Sequence, residues 1–171
     1  EGPLFLADTT INMNPTVEEL AHITYLAASE VKKYNIEPKI ALLSYSNFGS
    51  SHTEEAIKVR NAVRLIHEKY PDLIVEGEMQ ASMAFNQEIM KENYPFSALV
   101  DEPANTLIFP NLSSGNIAYN LLKEVGDFEI IGPILMGLDK PVHILQLGSS
   151  VRQICNMVAL AVTDAQRKKK Q

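Results

Sequence analysis

Short apolar runs alternate along this chain with amphipathic stretches at helical spacing, and a chain built that way has few folds open to it. Pro3 to Ala7 is apolar and ends at Asp8-Thr9-Thr10. Thr16-Val17-Glu18-Glu19 then forms a capping box, in which Thr16 accepts the Glu19 N–H and Glu19 reaches back. Leu20, Ile23, Ala27 and Val31 follow on one helical face, so a helix runs to about Tyr34, with Asn35 and Pro38 breaking it. Ile40 to Tyr45 is continuously apolar, as a strand covered on both faces requires. After the loop Ser46-Asn47-Phe48-Gly49-Ser50-Ser51, a helix is expected from Thr53 to Tyr70, ended by Pro71. Leu73-Ile74-Val75 is the next strand, leading into Glu76-Gly77-Glu78, and a helix with Met83, Ile89 and Met90 runs to Asn93. Thr106 to Phe109 is a fourth strand stopped by Pro110. Ser113 to Asn116 open a helix from Ile117 to Val125, with Gly126 as its C′ residue. Two more strands are expected at Glu129 to Leu135 and His143 to Leu147. A second capping box, Ser150-Val151-Arg152-Gln153, starts the last helix. This order predicts an α/β layered fold, a mostly parallel sheet with helices on both faces.

Composition limits the function. A chain of 171 residues can enclose a real core. No apolar run reaches the ~20 residues that span a bilayer, and no secretory signal is present. The single cysteine, Cys155, cannot form an internal disulfide, which suits a reducing cytoplasm. It shares helical spacing with Val151, Val158 and Val162, which predicts a buried structural thiol. The net charge of −6 argues against nucleic acid as a partner, and nothing points to a membrane. The basic run Arg167 to Lys170 reads as a solvated helix end. The chain lacks an initiator Met and starts its first strand almost at once. That suggests a piece of a longer polypeptide with domain-scale partners upstream.

Ligands of open α/β sheets sit beyond the carboxyl ends of the strands. Those ends are Asp8 to Thr10, Ser46 to Ser51, Glu78 to Gln80, Asn111 to Asn116 and Gly148 to Ser150. Three carry Gly beside Ser or Asn at a helix entrance, where free N–H groups attract anions. The same residues also serve as ordinary caps and turns, and composition alone leaves both readings open. No dinucleotide or P-loop motif is present. His22, His52, His67 and His143 lack metal-ligand spacing and are expected to be surface or packing residues. Asp8 and Glu78 could pair as carboxylates only if their strands were neighbours; otherwise they are cap and turn acceptors. Met79, Met83 and Met90 are expected in the core.

The stretch from Pro141 to Ile154 resembles the C-terminal signature of phosphotransacetylases, P-V-x-D-L-S-R-G-C-S-V-E-D-I. Further matches run in order along the chain. They are Phe5 to Thr9, Asn14-Pro15-Thr16, Leu43 to Ser46 with Gly49-Ser50, Gly77 to Gln80, Ala104-Asn105, Ile108 to Leu112, Gly115-Asn116-Ile117 with Tyr119, and Ile131 to Leu135 with Gly137-Leu138. The resemblance implies a three-layer phosphotransacetylase-like architecture, akin to isocitrate and isopropylmalate dehydrogenases, of which this chain is the second half. Residues 1–140 would be its second domain and residues 141–171 a C-terminal segment whose helix returns toward a missing first domain. The departures fall on chemistry. The family's catalytic Ser-Arg pair and Asp stand here as Gln146, Leu147 and Gln153, the Lys of S-T-K-G-S is Phe48, and the Asp of Q-F-D is Ser82.

This combination resembles the tail of the large bacterial NADP-dependent malic enzymes. It implies a non-catalytic regulatory and oligomerisation domain that senses acetyl-CoA, or a related phosphorylated molecule, in a degenerate cleft and forms a homo-oligomer. NADP and a divalent metal would be bound in the upstream malic enzyme region, with no cofactor in this chain. Ser46, Asn47, Gly49, Ser50, Ser113, Ser114, Gly115, Ser149 and Ser150 are the candidates to line the effector site, with Arg152 as an electrostatic or interface residue. If backbone N–H groups hold the effector, Gly49→Val should abolish its effect and leave the fold intact. The alternatives are an active phosphate acetyltransferase, moving acetyl between CoA and phosphate, and a purely structural module with an empty cleft.

Overall fold

The computed structural model describes residues 2–126, 128–138, 140–145 and 147–168. The chain forms two compact units, Glu1–Asn120 and Leu121–Gln171. Compactness thus divides the chain before residue 121, ahead of the division expected at residues 140/141.

The first unit contains β1 (Phe5–Ala7), α1 (Val17–Lys32), β2 (Lys39–Leu43), α2 (Glu54–Lys69), β3 (Ile74–Met79), a 3-10 turn (Met83–Phe85), α3 (Gln87–Asn93) and β4 (Thr106–Ile108). The helix α4 (Leu112–Val125) contributes residues to both units. The sheet runs β1-β4-β2-β3 and every pairing is parallel. The strand with the most continuous apolar run, β2, lies inside between β4 and β3, with Ile40 to Leu43 all buried. Successive strand residues point to opposite faces. Ala41 and Leu43 therefore join Met79, Met83, Met90, Leu99, Leu107 and Phe109 in one apolar cluster. Helices α1 and α2 pack together and bury Leu20, Ile23, Ala27 and Val31 with Ala56, Val59, Val63 and Ile66.

Local chemistry sets the boundaries. Thr16 accepts the Glu19 N–H at 3.2 Å, and Glu19 accepts the Thr16 N–H at 2.8 Å, so the predicted capping box is formed. The single helix expected up to Asn93 divides at Asn86, whose side chain caps α3 by accepting the Ile89 N–H at 3.0 Å. The helix expected from Ile117 starts earlier, at Leu112, because Asn111 accepts the Ser114 N–H at 2.9 Å and acts as its cap.

In the second unit the expected strands at 129–135 and 143–147 do not form a ladder among the described residues. One antiparallel bridge joins Ile134 and His143. Gly132 and Pro133 interrupt the first stretch, Gly137 and Pro141 lie between the two, and Pro lacks the N–H a ladder needs. The helix α5 (Val151–Lys168) buries Met157 and Asp164 and exposes Val151, Ile154, Val158 and Val162. Cys155 shares that exposed side, so the expectation of a buried thiol is corrected. The helical spacing was right, but the apolar stripe it marks faces outward.

Gly115 lies inside the first turn of α4, and a Cβ there would meet the Asp8 carbonyl oxygen at 2.2 Å. Gly to Ala within a helix ordinarily gains ~1 kcal/mol. Here the clash with backbone outweighs that gain. Gly115→Ala should destabilise the chain by about 2–3 kcal/mol in urea unfolding.

Candidate functional site

The loop Ser46–Ser51 leaves the carboxyl end of β2 and wraps around the side chain of Glu78, near the end of the neighbouring strand β3. Glu78 is fully buried. Its Oε1 accepts from Ser46 Oγ at 2.6 Å, the Gly49 N–H at 3.0 Å and Arg60 Nη2 at 2.8 Å. Its Oε2 accepts from Arg60 Nε at 3.0 Å. Burial pushes the carboxyl upward, but the Arg60, Ser46 and Gly49 donors outweigh it and hold Glu78 below the usual glutamate range. The same hydrogen bonds raise Arg60 above its ordinary value.

Every backbone N–H of this loop has an acceptor within the chain. Ser46 donates to Ser44 Oγ, Asn47 to Ser50 Oγ, Ser50 to the Asn47 carbonyl and Ser51 to Ser46 Oγ. Phe48 donates to the Glu78 carbonyl and Gly49 to the Glu78 carboxylate. A ligand at this loop therefore meets side chains rather than free amides. Gly49 also has φ +97°, so Val at this position is strained, and the expected intact fold of Gly49→Val does not follow. Asn47 Oδ1 accepts the Gln80 N–H at 2.7 Å, which fixes the side-chain amide. Its Nδ2 has no acceptor among the described residues. Phe48, standing where the resemblance places a Lys, sets its ring 4.6 Å from a tilted Tyr94 ring and 5.2 Å from Phe96, edge to face. Phe48 is thus an aromatic anchor for the loop.

A second cluster lies at the ends of β1 and β4, which are neighbours in the sheet. The Asp8 carboxylate accepts the N–H groups of Thr10, Ile11 and Asn12 and the Asn12 side-chain amide, at 2.7 to 3.0 Å. Asn116 donates to the Thr9 carbonyl, and Leu112 N–H to the Met13 carbonyl, so the loop lies along the start of α4. Lys58 of α2 donates to Asn14 Oδ1 at 2.8 Å and to the Pro110 carbonyl at 3.0 Å. Burial lowers its pKa, with the charge of Glu55 acting the other way. Since β1 and β3 are opposite edges of the four strands, Asp8 and Glu78 are not a carboxylate pair.

Of the residues expected to line a site, Ser46, Asn47, Gly49 and Ser50 share one loop. Ser113, Ser114 and Gly115 form the first turn of α4, after the adjacent strand β4. Ser113 keeps an N–H with no acceptor among the described residues. Ser149, Ser150 and Arg152 belong to the second unit. There Ser150 and Gln153 form the predicted capping box, at 2.9 and 3.2 Å, and Arg152 pairs with Glu129 at 2.6 Å on the surface. Leu147 is fully exposed, and Gln146 lies outside the described residues. His143 is not at the surface; it contacts Asp164 at 3.1 Å. His67 Nε2 lies 2.7 Å from the Val75 carbonyl, and His22 stacks near Tyr25. Sequence reasoning passed over Lys58 and Arg60. The signal was Glu78 itself, a carboxylate at the buried end of a strand that needs a cation.

A family model described as phosphate acetyl/butaryl transferase matches residues 1–162. The chain belongs to this family. It is 48% identical to an NADP-dependent malic enzyme of Haemophilus influenzae over 97% of its own length and 22% of that protein. It is 42% identical to a phosphate acetyltransferase of Clostridium acetobutylicum, over 98% of this chain and 50% of that protein. A phosphotransacetylase structure from Streptococcus pyogenes superimposes with a TM-score of 0.86 at 42% identity, covering 96% of this chain and 49% of that one. The chain thus spans about a fifth to a half of the length of these relatives. The α/β fold with a parallel sheet agrees with the expectation from sequence.

Asp8 gives a pH test. Burial pushes its carboxyl up, and the Thr10, Asn12 and Ile11 N–H groups with the Asn12 amide outweigh that, leaving it below the usual aspartate range. A depressed carboxylate adds stability above its unfolded pKa and loses it as pH falls through the folded value. Asp8→Asn should cost about 1–2 kcal/mol at neutral pH. Urea unfolding repeated at about pH 3 should show the gap to wild type narrowing.

Proposed function

We propose that this chain is a non-catalytic regulatory and oligomerisation domain of an NADP-dependent malic enzyme, which carries out oxidative decarboxylation of malate to pyruvate in the cytoplasm. Acetyl-CoA, or a related phosphorylated molecule, acts as its effector at the carboxyl edge of the sheet. Residues of the Ser46–Ser51 loop and the start of α4 are its contacts in the first unit. NADP and the divalent metal belong to the upstream region. The observation that carries this reading is the similarity to malic enzyme over 97% of the chain, combined with Gln146, Leu147 and Gln153 at the positions of family chemistry. Leu has no guanidinium to grip phosphate, and Gln cannot serve as a carboxylate base. An effector that binds one quaternary state more tightly shifts the equilibrium of the catalytic region.

Residues 1–140 act on this reading as a second domain, and residues 141–171 as a segment that docks on the upstream region. The exposed stripe Val151, Ile154, Val158 and Val162 supports that docking. Val158→Asp in the full polypeptide should weaken its assembly, read by sedimentation; unchanged assembly and melting would remove the docking role.

Similarity to phosphate acetyltransferases over 98% of the chain supports a second reading, acetyl transfer between CoA and phosphate. One experiment separates the two. Acetyl-CoA is titrated calorimetrically into the full polypeptide while malate oxidation and acetyl phosphate are followed. The regulatory reading expects micromolar binding, a changed malate rate and no acetyl phosphate. Acetyl phosphate formation would establish the transferase, and no binding with no rate change would leave a structural module.

A further inference from the structure

The Arg60–Glu78 pair decides how the Ser46–Ser51 loop is held. A buried carboxylate keeps its charge only where donors replace the lost water. Glu78 has four such donor contacts, from Ser46 Oγ, the Gly49 N–H and two nitrogens of Arg60. Converging N–H and hydroxyl groups in a turn make an anion receptor. Here the receptor already contains an anion, supplied by the adjacent strand. Arg60 also donates to the Ser51 carbonyl at 2.8 Å, closing the far end of the loop. Between those two braces lies Asn47, whose Oδ1 is taken by the Gln80 N–H and whose Nδ2 is left open.

We propose that Glu78 is a positioning residue, an internal anion that organises the Ser46–Ser51 loop in place of a bound one and directs the Asn47 side-chain amide toward a ligand. Its effect on ligand binding rests on the effector reading above; its organisation of the loop does not. Because the anion is built in, the loop keeps its shape with no ligand present. Inorganic phosphate should not compete for it while Glu78 is in place.

The test uses the full polypeptide with formate as a stand-in for the carboxylate. Glu78→Ala leaves Arg60, Ser46 Oγ and the Gly49 N–H facing a space of carboxylate size. Its melting temperature should fall by about 10 °C. Formate should recover part of that loss and slow hydrogen exchange at the Phe48 and Gly49 amides. Formamide, of similar size but uncharged, should do neither, and wild type should ignore both. If Glu78→Ala does not fold, Glu78→Gln keeps the shape without the charge. Its Phe48 and Gly49 amides should exchange faster while those of β2 keep wild-type protection. Equal action of formate and formamide on Glu78→Ala, or unchanged loop exchange in Glu78→Gln, overturns the proposal.

Acetyl-CoA titration then tests the consequence. Binding weakened about tenfold in Glu78→Gln, alongside a loosened loop, supports the positioning of Asn47. Wild-type affinity with a loosened loop overturns it. A wild-type protein that does not bind acetyl-CoA overturns the effector reading instead, and the formate and exchange results still decide whether Glu78 organises the loop.

Discussion

Placing a carboxylate inside the apolar end of a parallel sheet removes water that nothing apolar can replace. Glu78 meets that demand with Arg60, Ser46 and Gly49, and much of the local architecture follows. Arg60 must turn its guanidinium inward from α2, on a helix whose buried residues are otherwise apolar. The loop after β2 must curl back over β3, which requires φ +97° at Gly49. Removing one partner of such a buried pair ordinarily costs ~3–5 kcal/mol, more than a typical surface ion pair contributes by several-fold. The surface pair Arg152–Glu129 belongs to that weaker class.

The fold of the first unit was legible because local and global signals agree there. The apolar run of β2 marked the buried strand, the Thr16–Glu19 box marked the start of α1, and the three methionines fell in the core as expected. The start of α4 was misplaced because Asn111, which follows Pro110, reads as turn when its side chain is in fact the cap. The stretches at 129–135 and 143–147 are apolar enough for strands, but a strand needs a partner along its whole length. With Gly132 and Pro133 inside the first stretch, the two make a single bridge among the described residues.

The site was legible only in outline. Ser, Gly and Asn at strand ends located the loops, because those residue types follow from backbone geometry. Which of their donors remain open depends on side chains distant in sequence. Glu78 lies far along the chain from Ser46 and Gly49, and no local pattern says that it claims their protons. Asn47 emerges with an open amide, whereas Gly49 has its N–H engaged. Cys155 fails for a similar reason: helical spacing identifies a face but not what covers it.

The capping box at the start of α5 constrains the side chain that completes it. Gln153 reaches back to the Ser150 N–H at 2.9 Å, and a long side chain at this helical position suits that reach. The family frame carries an aspartate there, with a shorter side chain. Glutamine at this position thus belongs to the helix start. Gln153→Asp would place a shorter carboxylate there, and the turn would lose the reach that now closes it. The side chain that closes the turn also fixes where any group at this position can point.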